Sequence, residues 1–267
     1  METVLLIKAL ILGIVEGLTE FLPVSSTGHL IIVGDWLNFN DEKGKVFEIV
    51  IQFGAILGVV WDYRVRVSRL IIGIGNKHEQ GFILNLLIAF LPAAVLGLLL
   101  HKTITDHLFN PLTVAGALII GGILILIIER LPLRVRVHSM EKLSPMDAFK
   151  IGIAQTFSLF PGVSRAGATI MGGLLSGLSR TAATEFSFLL AMPIIFAATF
   201  YELFKSWHLL QARDIPLFAT GFVMSFITAL IVVKAFLKFV SRHNFTVFAV
   251  YRIVFGFIVL AYFWQSK

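Results

Sequence analysis

Two carboxylates, four hydroxyls and an imidazole are concentrated in the stretch EGLTEFLPVSSTGH at 16–29. Glu16 and Glu20 are four residues apart, so on a helix they share a face, with their Cβ atoms roughly 6 Å apart. Like charges at that distance repel unless a cation lies between them, and carboxylate oxygens suit a hard divalent cation, Mg²⁺ or Ca²⁺. The alternatives are a distant Arg or Lys that pairs with them, or one glutamate that stays neutral.

A hydroxyl-rich turn follows the proline of this stretch. Its small and polar residues are Ser25, Ser26, Thr27 and Gly28. They cap a helix in the simplest interpretation, but such a turn at a helix N-terminus also presents N–H groups to an anion. His29 lies nine residues after Glu20 and three after Ser26. That spacing suits a general base or a nucleophile, with a structural role as the alternative.

A second polar stretch, PGVSRAGAT at 161–169, carries an arginine instead of carboxylates. Arg165 lies at a turn within apolar sequence and must pair there. Its planar fork fits two phosphate oxygens or a carboxylate. Neutralisation of Glu16 or Glu20 is therefore the alternative role for this arginine.

The two stretches together match a phosphate or pyrophosphate site better than any alternative. They combine carboxylates, an arginine, helix N-termini, hydroxyls and an imidazole. The predicted catalytic residues are Glu20, Ser26, His29 and Arg165. The residues predicted to bind substrate are Ser25, Thr27, Gly28, Ser164, Gly167 and Thr169. The predicted metal ligands are Glu16 and Glu20.

The composition is that of an integral membrane protein. Of the 267 residues, 57% are hydrophobic and 14% are charged, whereas about 25% are charged in soluble domains. The absence of cysteine excludes disulfides and thiol chemistry. The net charge of +6 is assigned to basic cytoplasmic loops rather than to an anionic partner such as nucleic acid. A phosphate processed inside a bilayer is expected to belong to a lipid.

Apolar runs predict an all-α fold with six transmembrane helices, since a span needs roughly 20 apolar residues. The runs lie at about 47–61, 82–100, 112–128, 186–203, 216–235 and 246–264. Two further segments, 4–37 and 148–178, are apolar but are broken near the middle. Each half is too short to cross. These segments are predicted to be re-entrant helix–loop–helix hairpins, whose irregular backbone must be buried in protein or line a wet cavity.

The broken segments are related by a gapless offset of 139 residues, which aligns Ser25 with Ser164. We therefore predict an internal duplication within a single membrane domain, with halves at about 1–130 and 145–267. Between a position in the first half and the matching position in the second half, the chain passes through one hairpin and crosses the membrane three times. Because three is odd, the second half is inverted. The tips of the two hairpins are then expected to meet near the midplane.

Basic residues at the segment ends predict the orientation. Twelve on one side against six on the other place the first side in the cytoplasm. Both termini and the mouth of the first hairpin then face outward, to the periplasm. The twelve are Arg64, Arg66, Arg69, Lys77, Arg130, Arg134, Arg136, Lys142, Lys150, Lys234, Lys238 and Arg242. The six are Lys43, Lys45, Lys102, Lys205, Arg213 and Lys267.

The stretches GIVEGLTEFLPVSSTGH and PGVSRAGAT closely resemble the two signature motifs of the bacterial undecaprenyl-pyrophosphate phosphatase family, which is linked to bacitracin resistance. The likeness covers nearly the whole chain, including TEFSFLLAMP at 184–193. It implies a polytopic inner-membrane enzyme, often a homodimer, that depends on a divalent cation. Such an enzyme removes the terminal phosphate of undecaprenyl pyrophosphate and so supplies the monophosphate carrier for peptidoglycan synthesis.

The motif residues of the family fall, position by position, on Glu16, Glu20, Ser26, His29 and Arg165. One position departs from the pattern. The family usually has serine after the arginine, where this chain has Ala166. If the nucleophile of the family were the hydroxyl at that position, this protein would be inactive. Ala166 therefore favours Ser26 or His29 as the nucleophile.

A flippase or transporter of a polyprenyl phosphate carrier is the alternative function. Inverted repeats with broken helices that meet at the midplane are typical of transporters. A hydroxyl and an imidazole beside paired carboxylates favour an enzyme, because transport needs no nucleophile. Release of free phosphate in detergent, where no gradient exists, separates the two functions.

Overall fold

The computed structural model describes residues 2–39, 42–206, 208 and 211–265. Within these ranges the chain forms eleven α-helices and no β-sheet, which confirms the predicted all-α class. The helices are α1 (Glu2–Thr19), α2 (Ser26–Trp36), α3 (Glu42–Asp62), α4 (Arg64–Ile72), α5 (Lys77–Leu108), α6 (Pro111–Arg130), α7 (Pro145–Thr156), α8 (Arg165–Leu175), α9 (Arg180–Ser206), α10 (Ile215–Val240) and α11 (Thr246–Gln265).

Six of the described helices are long and apolar enough to cross a membrane, at the six places where apolar runs predict spans. The membrane-capable stretches are Gly44–Asp62, Lys77–Leu100, Pro111–Arg130, Arg180–Ser206, Ala212–Val240 and Thr246–Trp264. The prediction of six spans is therefore confirmed. The protein is a multi-pass membrane protein.

Each of the two broken segments forms a pair of helices. The first break, at 20–25, contains Pro23, which cannot supply the N–H that a continuing helix needs. The second break, at 157–164, begins with one turn of 3₁₀ helix. The helices that follow the breaks, α2 and α8, both have 11 residues, and they begin 139 residues apart. The offset seen in the sequence therefore recurs in the helix boundaries.

Close helix contacts fix the position of α1. A Cβ on Gly13 of α1 would lie 2.4 Å from the carbonyl oxygen of Gly221 in α10. A Cβ on Gly54 of α3 would lie 2.5 Å from the carbonyl oxygen of Phe222 in the same helix. Both distances are shorter than any van der Waals contact, so only glycine allows these helices to approach so closely. α1 and α3 are thereby packed against α10, which positions the carboxylate of Glu20 just beyond the end of α1.

Ion pairs join the connections at one end of the helix bundle. Arg66 of α4 donates to Glu141 at 2.7 Å, and Arg136 pairs with Asp147 of α7. Burial of the Asp147 carboxyl opposes ionisation, but hydrogen bonds from Arg136 and Ser144 outweigh it and hold the pKa of Asp147 below its usual range. These pairs attach the connection between α6 and α7 to the neighbouring helices.

Candidate active site

A polar cavity of about 160 Å³ lies between the two breaks. Both polar stretches of the sequence contribute to its lining, with Glu20, Ser25, Ser26, Thr27, Ser164 and Arg165. The remainder of the lining comes from Gln52 of α3, Phe109 after α5 and the run 158–162. Stretches that lie far apart in the sequence therefore face one common space.

Ser26 and Glu20 are joined by a short hydrogen bond. Ser26 is the first residue of α2, and its hydroxyl donates to Oε2 of Glu20 at 2.6 Å. Both side chains are buried in the protein while they line the cavity. A carboxylate that accepts a hydrogen bond from a serine hydroxyl at this distance is positioned to act as its general base.

Arg165 brings a positive charge to the same carboxylate. Its Nη2 donates to Oε1 of Glu20 at 3.3 Å, and its Nη1 donates to the carbonyl oxygen of Ser187 at 3.0 Å. The guanidinium carbon lies 5.6 Å from the centroid of the Phe21 ring. Arg165 therefore does pair with the Glu20 carboxylate, which is the alternative role considered for it from the sequence. The two bonds still leave one N–H on each terminal nitrogen for a phosphate.

The serine before each of these helix starts has an unusual backbone conformation. Ser25 has φ 70° and ψ 97°, and Ser164 has φ 74° and ψ 116°. Residues other than glycine rarely adopt such angles, which are costly and often found at functional sites. The Ser164 hydroxyl accepts from the N–H of Gly167 at 3.1 Å and donates to the carbonyl oxygen of Leu22 at 3.4 Å. It thereby caps α8 and connects the second break to the first.

His29 is buried and is not among the residues that line the cavity. Its Nδ1 lies 2.8 Å from the carbonyl oxygen of Ser25, and its Nε2 lies 2.6 Å from the hydroxyl of Tyr251. A carbonyl oxygen only accepts, so Nδ1 carries the proton, and Nε2 of the neutral ring accepts from Tyr251. The imidazole also stacks on Phe255, with the ring centroids 4.2 Å apart. Both nitrogens are engaged by other groups. This geometry favours a role in holding the Ser25 turn over the predicted role of base or nucleophile.

Glu16 has no such partners. It is buried, and among the described residues neither of its carboxylate oxygens has a hydrogen-bond partner. Glu20 and Glu48 repel its charge, whereas Arg165 attracts it. Within the described ranges no three His, Cys, Asp or Glu residues converge to hold a metal. Two carboxylates nevertheless fit Mg²⁺, which proteins commonly bind through one or two carboxylates while water and substrate phosphates complete its shell.

Three of the predicted substrate ligands lie outside the cavity lining. A Cβ on Gly28 would lie 3.1 Å from Leu118 of α6, so its small size serves helix packing. Gly167 donates its N–H to the cap of its own helix. The Thr169 hydroxyl lies 2.6 Å from the Ser187 hydroxyl and also bonds to carbonyl oxygens of α8. These three residues support the turns and helices that carry the cavity.

Sequence reasoning missed three residues that contact the cavity or its turns. Gln52 lines the cavity, Tyr251 binds His29, and Arg252 donates to backbone carbonyls of both breaks. The sequence did contain a signal for Arg252, because an arginine within an apolar run such as 246–264 often marks a functional position in a membrane protein. Gln52 and Tyr251 carry no comparable signal, since their side chains are uncharged.

The arrangement suits transfer of a phosphoryl group. A serine hydroxyl donates to one oxygen of a base, a guanidinium donates to the other oxygen, and the first residues of α2 and α8 line the same cavity. Such a set provides a nucleophile together with donors for the negative charge of phosphate oxygens.

Residues 9–258 match the family described as bacitracin resistance protein BacA. The chain is 61% identical to the undecaprenyl-diphosphatase of Nitrosospira multiformis, over 97% of this chain and 96% of that relative. It is 57% identical to the undecaprenyl-diphosphatase of Dechloromonas aromatica, over 99% and 97% respectively. It is 56% identical to undecaprenyl-diphosphatase 2 of Rhodospirillum rubrum, over 100% and 98%. These matches extend across the spans as well as both polar motifs, and the chain belongs to the bacitracin resistance protein BacA family.

Proposed function

We propose that this protein hydrolyses undecaprenyl pyrophosphate to undecaprenyl phosphate and inorganic phosphate, in agreement with the name that its relatives carry. The observation that carries the proposal is the 2.6 Å hydrogen bond from Ser26 to Glu20 in a cavity that Arg165 also lines. A hydroxyl beside a base, opposite a cation, is suited to phosphoryl transfer. The reaction returns the monophosphate carrier to cell-wall synthesis.

In the first step the Ser26 hydroxyl oxygen attacks the terminal phosphorus while its proton passes to Glu20. A bond forms between that oxygen and phosphorus, and the bond from phosphorus to the bridging oxygen breaks. Undecaprenyl phosphate leaves with the electron pair and takes the proton from Glu20. In the second step water attacks the phosphoserine, its proton passes through Glu20 to the Ser26 oxygen, and inorganic phosphate is released.

Arg165 and the two helix N-termini stabilise the charge that builds on the phosphoryl oxygens and the leaving group. Their donors are held in place before the substrate arrives, because Arg165 is anchored to Ser187 and Glu20. Phe109 and Phe160 line the same cavity and are also exposed at the surface. They offer the apolar tail a path from the cavity into the bilayer.

Glu16 and Glu20 would hold a divalent cation, Mg²⁺ or Ca²⁺, whose charge would offset that of the pyrophosphate. Glu16→Gln is expected to raise the cation concentration needed for half-maximal phosphate release, because it removes one of two anionic ligands. Metal titrations after EDTA treatment measure this, with Glu185→Gln as a matched change at a glutamate that is not a proposed ligand. Full activity of the wild-type protein in EDTA would contradict the metal assignment.

Phosphate release from undecaprenyl pyrophosphate by the purified protein in detergent tests the proposed activity directly. The alternative, a flippase of a polyprenyl phosphate carrier, predicts no release there and requires a sealed bilayer to show transport. Inorganic phosphate formed in proportion to protein, and lost in Ser26→Ala, supports the enzyme. No release from the folded protein supplied with Mg²⁺ or Ca²⁺ favours the flippase.

We also propose that the halves at about 1–130 and 145–267 are inverted copies and that the broken segments are re-entrant hairpins. The shared offset of α2 and α8 and the matching backbone angles of Ser25 and Ser164 support this. Helix packing adds further support, because α1 packs on α10 as its counterpart α7 packs on α5. Such an exchange of partners is expected of two halves related by a pseudo-two-fold axis.

The proposed location is the bacterial inner membrane, with both termini and the cavity mouth facing the periplasm. Alkaline phosphatase fused after the C-terminal residue should therefore be active in cells, while a fluorescent protein that matures only in the cytoplasm should stay dark there. The same reporters fused after Arg242, one span earlier, should give the opposite pattern. A bright fluorescent fusion at the C-terminus would contradict the proposed orientation.

The resemblance also implies a homodimer, which we propose for this protein. A mass measurement in detergent checks it.

A further inference from the structure

Arg252 of α11 is among the largest fully buried side chains of the described protein, with 1% of its surface exposed. All five of its N–H donors are used, and each one goes to a backbone carbonyl oxygen. Nη1 donates to Pro23 at 3.1 Å and to Val163 at 2.8 Å. Nη2 donates to Gly162 at 3.0 Å, and its other bond goes to α6. Nε completes the set with a second carbonyl of α6, at 3.4 Å.

The carbonyls that Arg252 holds belong to both breaks. Pro23 and Gly162 are separated by 139 residues, so they occupy the same position in the two broken segments. One guanidinium therefore joins equivalent atoms of the two turns that carry Ser26 and Arg165. Among the described residues outside the two turns, no other side chain makes hydrogen bonds to both of them.

The bond from Arg252 to the Val163 carbonyl also sets the direction of one backbone N–H group. In a planar trans peptide the carbonyl of one residue and the N–H of the next point in opposite directions. Because the Val163 carbonyl points at Arg252, the N–H of Ser164 points away from it. Ser164 lines the cavity, and its N–H has no acceptor among the described residues. This N–H is thereby available to an anion in the cavity.

The charge of Arg252 has no carboxylate partner among the described residues. A buried charge that is solvated only by carbonyl dipoles is costly, so a purely structural role would be served as well by a neutral donor. Because Arg252 binds carbonyls of two turns that line the cavity, its charge adds to the positive potential of the helix N-termini there.

We propose that Arg252 is a positioning residue for phosphoryl transfer, which holds the two turns together and directs the N–H of Ser164 toward the phosphate. The inference rests on the proposed function for its kinetic effect. Its structural effect, the joint ordering of both turns, does not depend on that function.

Two variants test the proposal without changing any residue of the cavity. Arg252→Lys keeps the charge but has three donors instead of five. Gly121→Ala in α6 would place a Cβ 2.2 Å from Nη2 of Arg252, which forces the guanidinium to move. Gly116→Ala in the same helix is the matched control, because a Cβ there meets nothing within 4 Å.

We expect kcat for phosphate release to fall by about 10²-fold in Arg252→Lys and Gly121→Ala, since a misplacement of about 1 Å costs that much. KM should change far less, and Gly116→Ala should match the wild-type protein. Hydrogen–deuterium exchange should become faster in both 22–28 and 161–167, while exchange across α3 stays unchanged. A structural role elsewhere in the fold would not loosen these two segments together.

Normal kcat in either folded variant, or faster exchange in one turn without the other, would overturn the proposal. So would failure of both variants to fold, because Arg252 would then be required by the fold as a whole. An inactive wild-type protein would instead contradict the proposed function, and the exchange data would still decide whether Arg252 orders both turns.

Discussion

Replacement of Ser26 by alanine is expected to lower the rate of phosphate release by roughly 10⁴-fold to 10⁶-fold, the range seen when a nucleophile is deleted. The reason is the position of its hydroxyl, which donates to Oε2 of Glu20 at 2.6 Å and lines the cavity. Loss of that oxygen removes the atom that bonds to phosphorus. Initial rates of phosphate release in detergent, with melting temperatures for each sample, measure the effect.

Ser225→Ala is the matched control, because it deletes a buried serine hydroxyl that has no hydrogen-bond partner among the described residues. It should leave both activity and stability close to those of the wild-type protein. Ala166→Ser should also change the rate of phosphate release little, since Ala166 does not line the cavity. If Ser26→Ala kept most of the activity while Ala166→Ser raised it about a hundredfold, the nucleophile would belong to the second break.

Arg165→Lys is expected to lower kcat by about 10²-fold to 10³-fold, the usual cost of one preorganised donor in an active site. The guanidinium binds the Ser187 carbonyl and Glu20 while N–H groups on both terminal nitrogens stay available for phosphate. A lysine ammonium is a single point of charge and cannot serve a carbonyl, a carboxylate and a phosphate in the same geometry.

The kinetics of Arg165→Lys should be compared with those of Arg180→Lys. Arg180 pairs with Glu129 and does not line the cavity, so the same substitution there should leave kcat nearly unchanged. An Arg165→Lys protein with wild-type kcat would show that a positive charge is sufficient for catalysis without the planar guanidinium group. A loss confined to KM would indicate that Arg165 binds the substrate without stabilising the transition state.

Much of this protein could be predicted from the sequence, because the bilayer imposes strong local rules. The six spans follow from runs of apolar residues, and the breaks follow from Pro23 and from the Ser, Thr and Gly around it. Glu20, Ser26 and Arg165 stood out because polar and charged side chains are expensive at such positions and persist only where they have partners. All three line one cavity in the structure.

The roles of His29 and Arg252 depend on the tertiary structure. The spacing of His29 from Ser26 and Glu20 suits a base, yet its ring nitrogens bond to Ser25 and to Tyr251, which lies 222 residues away. Arg252 reaches back 229 residues to Pro23. Contacts at such separations depend on how helices pack, and packing depends on the shape of whole helix faces rather than on any short pattern. The sequence by itself determined which residues are polar within the membrane, and the tertiary structure decided which of them face the cavity and which hold its turns.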